Sequence, residues 1–438
     1  MYLLLGATFT FASCVDDGKD LYKPSIKTSE LNVPEGFNWE TSRGVGLKIQ
    51  SPVATMASFF LDRECKIENQ LANLPIAAGE NQLKFDVPYT CNAIYVQYTQ
   101  EDGTVKTLTG EIAAKTRAGS YDDIDVMNFE HPKVGTSSDG YEWWVIIPGT
   151  GSKLTGAHQN VKDIEYGTLM FEDTWPETGD YDFNDFVVNY KIKVSFTIPK
   201  GVNLEYVDFN AIAPDMKINV DLNFCALGGT HPYDFAIQIG QSATGQSPLK
   251  GKKITVDNIT GTDNVKAEVL SGTDYPAIIV TGLKSLRGND FYNTVKKVDD
   301  GTSVSFAVNL SGTYGEQLRL FQSNIFSDPR AFDYFLIRQD NHKEIHMMGH
   351  APTSLYKSYA SDNNNQGKTY YQNDKGLVWA LRVPGKVAWA TEKTDITGVY
   401  PYFVTWVTSG GYALGSNGAD SLPWYEELTK DSNKYIKP

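Results

Sequence analysis

Short segments of alternating apolar and polar residues recur along most of the chain, and this pattern limits it to folds built from β-sheet. Two hairpin candidates span 91–109 and 295–308 and turn at Asp102-Gly103 and Asp300-Gly301. An Asp-Gly pair between alternating segments is a strong short-range signal for a β-hairpin. Helical periodicity is brief and confined to regions near 285–296 and 424–429. The sequence therefore predicts an all-β fold with few short helices.

Length and charge narrow the class of protein further. A chain of 438 residues is long enough for two or three domains. Its 53 acidic and 39 basic residues give a formal net charge of −14. A surface of this sign repels a phosphate backbone, so nucleic acid is excluded as a partner. The same acidity suits divalent cations, although a solvated acidic surface is the commoner explanation.

The polar stretches divide the chain into regions. Residues 15–35 read as a tether, and 36–116 as an immunoglobulin-like β-sandwich. Residues 117–140 are polar, include Asp122, Asp123 and Asp125, and are predicted to be a linker. The remaining region, 141–438, is predicted to be a larger β-rich domain with few short helices.

The first fourteen residues are apolar and end in Phe11-Ala12-Ser13-Cys14. This run is too short to span a bilayer and has the length of a secretory signal peptide, predicted over 1–14. Its end resembles the lipobox of bacterial lipoproteins, in which the cysteine carries lipid. Phe11 stands where leucine is usual, and no basic residue precedes the apolar run. A buried strand with a chance cysteine is the alternative.

The residues that follow Cys14 bear on localisation. The acidic stretch 15–20 resembles the surface-export signal of lipoproteins in the Bacteroidetes. The resemblance implies an outer-membrane lipoprotein anchored by lipid at Cys14 and exposed at the cell surface. Three cysteines remain, of which Cys65 and Cys91 either pair or, with Cys225, are small buried hydrophobes.

The segment 171–190 contains the most informative motif of the chain. Asp180, Asp182 and Asn184 stand at alternate positions, and Asp185 is adjacent. This is the spacing of oxygen ligands in calcium loops, and a hard cation needs six to eight oxygens. We therefore predict a structural Ca²⁺ site, whose shell Glu172 or Asp173 is expected to close. The alternative is an acidic turn whose side chains cap backbone donors.

The same segment resembles a known family. Phe171-Glu172-Asp173 followed by Gly179–Asp185 is similar to the signature of LruC-domain proteins, whose core motif is shared with surface proteins of the DUF4114 type. Later motifs are similar to that family's C-terminal DUF4842 region; they lie at 343–353, 376–381, 400–411 and 424–425. Met347-Met348 and Val378 depart from the family pattern at turns. Over 141–438 the resemblance implies an outer-membrane lipoprotein, calcium at the acidic motif and no catalysis.

Other chemistry is less well supported by the residues. His342, His346 and His350 would share a face in a helix, but Gly349 and Pro352 favour extended chain, so structural or surface roles are expected. Clustered aspartates in one turn lie too close for a glycosidase pair. No nucleophile elbow, phosphate loop or zinc-protease motif is present. The tryptophans are expected to be mostly core residues, with Trp143-Trp144 the candidate for partial exposure.

These observations together predict a surface lipoprotein that acts as an adhesion or ligand-binding module and is not an enzyme. Its expected partners are the outer membrane, through the lipid, and a glycan or a host or matrix protein. A carbohydrate-binding protein of a glycan-uptake system and a glycan-active enzyme stay open as alternatives.

Overall fold

A computed structural model describes the chain from residue 26 to residue 438, with gaps. The residues outside the description are 1–25, 90, 113–121, 136–140, 147–166, 199–217, 231–232, 242–246, 262–263, 284–290, 314–315, 318–319, 321–325, 327–330, 364–368 and 412–422. The predicted signal peptide, the lipidation site and most of the tether lie outside the described residues.

The first eight strands form two sheets that pack against each other. Their bounds are β1 Ser42–Ser51, β2 Thr55–Phe60, β3 Gln70–Ile76, β4 Gly79–Pro88, β5 Ala93–Thr99, β6 Val105–Glu111, β7 Asp122–Asn128 and β8 Tyr141–Ile146. One sheet has the order β4-β1-β7, and the other contains β8-β3-β2-β5-β6. Phe59 and Phe85, one from each sheet, meet with ring centroids 4.8 Å apart.

The rest of the chain adds thirteen strands to the described structure. They are β9 Gly167–Phe171, β10 Phe186–Ile198, β11 Ile218–Gly229, β12 Tyr233–Ile239, β13 Ile254–Gly261, β14 Lys266–Val269, β15 Ala277–Thr281, β16 Thr302–Leu310, β17 Phe332–Arg338, β18 Glu344–His346, β19 Ala380–Pro384, β20 Trp389–Ala390 and β21 Tyr435–Ile436. Two short α-helices, α1 Tyr359–Asp362 and α2 Phe403–Thr408, accompany them. The all-β prediction is confirmed.

A single large sheet runs through both halves of the molecule. Strand β8 pairs with β3 on one side and with β10 on the other, which gives the order β13-β16-β11-β10-β8-β3-β2-β5-β6. Strands β9 and β19 extend this sheet beside β10. The strands β14-β15-β12-β17-β18 form a separate five-stranded sheet. It packs against the large sheet through contacts such as that of Phe235 on β12 with Phe224 on β11, whose ring centroids are 4.9 Å apart.

The predicted linker is wrong over 122–128, because these residues form strand β7, parallel to β1. Ile124 and Met127 are buried in the core of the first half. They pack over Gly110, where a Cβ would clash with both side chains. Three aspartates dominate the composition of this segment, but the two apolar side chains decide its structure.

The prediction of a tether is also wrong for its last part. Residues within 26–35 pack against the C-terminal region. Thr28 is fully buried, and Leu31 belongs to a core formed mainly by residues after 370. The backbone N–H of Thr28 and its hydroxyl both donate to the carboxylate of Asp395, at 2.8 and 2.6 Å. Buried backbone donors need such partners, so this contact fixes the segment.

The first Asp-Gly hairpin is confirmed and the second is wrong. Strands β5 and β6 pair antiparallel, and Gly103 takes the positive φ of +86° that its turn requires. Residues 295–298 instead form a loop, and β16 pairs with β11 and β13. Gly301 passes so close to the carbonyl of Ala226 that no side chain would fit.

Candidate cation site

The acidic segment connects two adjacent strands that are buried where they meet it. Strand β9 ends at Phe171 and β10 begins at Phe186, and these two residues are paired in the sheet. Both side chains have no exposed surface. The connection 172–185 therefore leaves and re-enters the sheet at one place, which brings its acidic residues back beside Glu172.

Two aromatic residues set the conformation of this loop. Tyr181 and Phe183 have positive φ angles of 59° and 52°, a region that costs a non-glycine residue of the order of 1 kcal/mol. Both side chains are buried in the core beneath the C-terminal region. Burying each ring stabilises the protein by about 2 kcal/mol, which outweighs that cost. The alternate residues Asp180, Asp182 and Asn184 are thereby placed together.

Three carboxylates converge in the structure. One oxygen from each of Glu172, Asp180 and Asp182 lies within 4.8 Å of the other two. Two oxygens bound to opposite sides of Ca²⁺ at roughly 2.4 Å would be about 4.8 Å apart, so this spacing accommodates the ion. Glu172 and Asp182 are buried and Asp180 is exposed, which leaves the group open to solvent on the Asp180 side.

Two buried side-chain oxygens of this segment have no hydrogen-bond partner. Glu172 accepts from the backbone N–H of Phe183 through Oε1, at 2.6 Å, but its Oε2 is unpartnered. The amide nitrogen of Asn184 donates to Asp182 and to the carbonyl of Ala390, which orients its Oδ1 the other way, also unpartnered. A buried oxygen without a donor is costly, and a cation bound among the three carboxylates would satisfy Glu172 Oε2.

Burial and mutual repulsion both act on the charges of this group. Burial is the main cause that raises the pKa of Glu172, Asp180 and Asp182, the last to about 8. Neighbouring carboxylates raise each of these pKa values further. A divalent cation would offset this repulsion and favour the ionised carboxylates. Three carboxylates are the kind of donor set that hard cations prefer.

Two of the sequence-predicted ligands are engaged elsewhere. Asp185 accepts from the hydroxyl of Thr230 at 2.6 Å and from the backbone N–H of Asp173 at 2.8 Å. Asp173 accepts from the hydroxyl of Tyr233 at 2.8 Å. Burial raises the pKa of Asp185 to about 7. The structure thus brings Glu172, Asp180, Asp182 and Asn184 together, whereas metal binding by Asp173 and Asp185 stays a prediction.

The acidic loop is also bonded to the C-terminal region. The backbone N–H of Lys393 donates to Asp182 at 2.8 Å, and Asn184 donates to the carbonyl of Ala390 at 3.2 Å. The backbone N–H of Ile396 donates to the carbonyl of Tyr181 at 2.9 Å. These contacts join residues about 210 positions apart, so nothing local in the sequence indicated them. They make the loop a link between the sheet and the segment 389–396.

His346 and His350 belong to a second buried polar group, which the sequence analysis did not predict. His346 lies between Asp333, at 2.7 Å, and Glu344, at 2.9 Å, and stacks on Phe335. The two carboxylates raise the pKa of His346 to about 9 against the opposing effect of burial. His350 is buried and bonds to Gln241. The Glu-Ile-His alternation of β18 places Glu344 and His346 on one face of the strand, and this was the signal available in the sequence.

The tryptophans and cysteines give no further site in the described part of the chain. Trp175, Trp379, Trp389, Trp406 and Trp424 are all buried, which agrees with core roles and leaves none of them as a sugar-stacking ring. The side chains of Trp143 and Trp144 lie outside the described residues. Cys65, Cys91 and Cys225 are free thiols, so the pairing of Cys65 with Cys91 is not formed.

Within the described residues, no helix is both long enough and apolar enough to cross a bilayer. The anchor that the sequence predicts is lipid at Cys14, which lies outside the described residues.

Comparison with known proteins finds a family that part of the chain resembles. Residues 216–416 match a family described as "Domain of unknown function (DUF4842)", which agrees with the resemblance found in the C-terminal motifs. No curated protein matches the sequence. A crystal structure described as a "Putative lipoprotein from Bacteroides ovatus" is similar, with 20% identity and a TM-score of 0.55. The match covers 87% of this chain and 99% of that one, and at this identity it shows a common fold.

Proposed function

We propose that this protein is a surface-exposed lipoprotein of the outer membrane. Its β-rich body would be an adhesion or ligand-binding module that Ca²⁺ in the acidic loop stabilises. The observation that carries the proposal is the convergence of the carboxylates of Glu172, Asp180 and Asp182, in which the buried Glu172 Oε2 has no hydrogen-bond partner. The ion is structural in this account, because the loop it would bind joins the large sheet to the C-terminal region.

Calcium titration of the chelator-treated protein tests the proposal directly. Isothermal titration calorimetry should show one site in the wild type and none in Asp182→Ala. Asp234→Ala is a matched control, because Asp234 is a half-buried aspartate elsewhere whose pKa burial also raises. It should bind as the wild type does. Absence of binding in the wild type, or equal loss in both variants, contradicts the proposal.

Membrane attachment is tested separately at Cys14. Supporting evidence is the lipobox-like Phe11-Ala12-Ser13-Cys14 and the acidic stretch behind it. In the native host, Cys14→Ala should abolish lipid labelling and release the protein from membranes, as measured by fractionation. Unchanged retention of the variant in the membrane fraction would contradict lipid anchoring.

The identity of the ligand needs a screen, since the described tryptophans are core residues and favour no sugar site. An array of glycans and matrix proteins, probed with and without calcium, separates an adhesion module from a glycan-uptake protein. Turnover of a polysaccharide on the same panel would instead favour an enzyme and overturn the non-catalytic proposal.

A further inference from the structure

A small cavity lies between the core of the sheets and the core of the C-terminal region. Its wall is formed by the segment 38–40, by β17, by the turn that follows β18 and by β19. Met347 packs against the first core and Met348 against the second, and both line the cavity. The volume of about 20 Å³ has room for one or two atoms of the size of a water molecule. An enclosed occupant is therefore a water molecule or a single ion.

His350 contributes a free ring nitrogen to the wall of this cavity. The side-chain nitrogen of Gln241 donates to the carbonyl of Ala351 at 2.9 Å, so its oxygen is the atom that faces His350 Nδ1, at 2.8 Å. An amide oxygen only accepts, so Nδ1 carries the proton and Nε2 carries the lone pair. Burial lowers the pKa of His350, and the ring is neutral at pH 7. The residue is only 6% exposed, and its Nε2 has no hydrogen-bond partner among the described residues.

The donors of this cavity are those that a soft metal ion prefers. Met347 and Met348 offer thioether sulfurs, and His350 offers a neutral imidazole nitrogen. Thioether ligands select Cu(I), whereas Ca²⁺ and Mg²⁺ take oxygen ligands. Methionine is unbranched and has three rotatable bonds, so its sulfur can adjust to an ion. The hydrogen bond from His350 Nδ1 to Gln241 is the second contact that metal-binding histidines usually make.

The charges around His350 favour a cation over an anion. This buried network contains four carboxylates and two cations, even with His346 protonated: Glu40, Asp86, Asp333, Glu344, Arg382 and His346. The negative excess opposes an anion and attracts a cation.

A water molecule is the alternative occupant. The hydroxyl of Tyr334 also lines the cavity and is buried without a hydrogen-bond partner, so a water could join it to His350 Nε2. A buried water typically makes about three hydrogen bonds, however, and thioether sulfur is only a weak acceptor. The two methionines therefore suit an ion better than they suit water.

We propose that Met347, Met348 and His350 bind one Cu(I) ion in this cavity. Both methionines are half-buried, so the ion can enter past their side chains. The site shares no residue with the acidic loop, and binding there does not require calcium.

Titration with Cu(I) in competition with bicinchoninate, without oxygen and with excess ascorbate, tests the proposal on the full chain. All four cysteines are first replaced by serine, because thiols also bind Cu(I). This parent should take up one Cu(I) per chain. Met347→Leu with Met348→Leu keeps the side-chain volume and removes both sulfurs, so it should weaken binding by about tenfold or more. His350→Gln should weaken binding by a similar factor.

The matched control is Met56→Leu with Met127→Leu, a half-buried and a buried methionine of the first half. This control should bind Cu(I) as the parent does, and all variants should melt as the parent does without metal. Excess calcium should leave Cu(I) binding unchanged, so this proposal and the calcium proposal stand or fail separately.

X-ray absorption of the copper-loaded parent needs no variant and should show sulfur and nitrogen neighbours of the metal. The proposal is overturned if the parent binds no Cu(I), which would leave water as the occupant of the cavity. It is equally overturned if both methionine pairs weaken binding to the same extent, or if the spectrum shows no sulfur neighbour.

Discussion

At the scale of single residues, the acidic loop combines features that sequence could and could not indicate. The spacing of Asp180, Asp182 and Asn184 predicted a cluster of oxygens. The structure brings the carboxylates of Asp180 and Asp182 together with Glu172, whereas Asn184 donates its amide N–H to Asp182. The engagement of Asp185 with Thr230 was not predictable, because Thr230 is 45 residues away. The positive φ angles at Tyr181 and Phe183 were hidden too, since aromatic residues rarely adopt them without a core to hold their rings.

Gly179 gives a prediction about the shape of this loop. A Cβ at this position would clash with Glu172 Oε2, so Gly179→Ala should displace one of the two unpartnered oxygens. We expect an unfolding free energy lower by about 1–3 kcal/mol and weaker calcium binding. The control is Gly398→Ala, where the nearest atom to a Cβ lies at 3.8 Å. Urea unfolding and titration calorimetry measure the two effects, and equal behaviour of the two variants would contradict the assignment.

His346 gives a prediction about pH. Its pKa is raised to about 9 in the folded protein by Asp333 and Glu344, above the value of about 6.5 expected for the unfolded chain. The protonated ring therefore stabilises the fold fully below about pH 6.5, and this contribution is lost as the pH rises through 9. When it is fully present, the protonated ring of His346 contributes about 3 kcal/mol to the free energy of unfolding.

The measurement is the unfolding free energy at pH 7 and pH 10 in the wild type and in His346→Gln. The loss between these pH values should be larger in the wild type by roughly 2–3 kcal/mol. His342→Gln is the control, because His342 is exposed and should change nothing. The same pH dependence in all three proteins would show that His346 is not the titrating group.

At the scale of elements, the alternation of apolar and polar residues predicted many of the strands, but it did not predict which strands pair. The β5–β6 hairpin was predictable because its turn and both strands are local. Strand β7 was missed because its partner β1 lies about 77 residues earlier. Among the described side chains of β7, only Ile124 and Met127 face the core. The segment 295–298 alternates like a strand, yet Asn293 closes it into a loop.

The segment before β1 provides a prediction at this scale. Asp395 accepts from Thr28 twice and from the backbone N–H of Thr397, so it joins residues 26–35 to the C-terminal region. Asp395→Ala should lower the unfolding free energy by about 1–3 kcal/mol, because the backbone N–H of Thr28 loses a buried partner. Limited proteolysis should then cut within residues 26–35 sooner than in the wild type. Glu427→Ala, at an exposed position of the C-terminal region, should do neither, and early cleavage in that control would contradict the role of Asp395.

At the scale of the whole molecule, the sequence predicted two domains with a linker between them, whereas one large sheet crosses the boundary. Strand β8 belongs to both halves through its pairs with β3 and β10. Buried Arg382 adds a second link, since it bonds to Glu40 at 3.0 Å and to Ser42 at 3.1 Å. Pairings across hundreds of residues follow from the packing of complete sheets, which no local pattern encodes.

The acidic loop joins this sheet to the C-terminal region, so a bound cation should affect the stability of the whole molecule. A ligand present at a hundred times its dissociation constant adds about 2.7 kcal/mol to the free energy of unfolding. Removal of calcium should therefore lower the melting temperature of the wild-type protein by a few degrees, roughly 2–4 °C for a chain of this size.

The most direct measurement is the melting curve of the wild type and of Asp182→Ala, each with excess calcium and with excess chelator. The account predicts a lower melting temperature for the wild type in chelator and no difference between the two conditions for Asp182→Ala. Identical wild-type curves in calcium and in chelator would contradict it, and the carboxylates of Glu172, Asp180 and Asp182 would then only shape the turn.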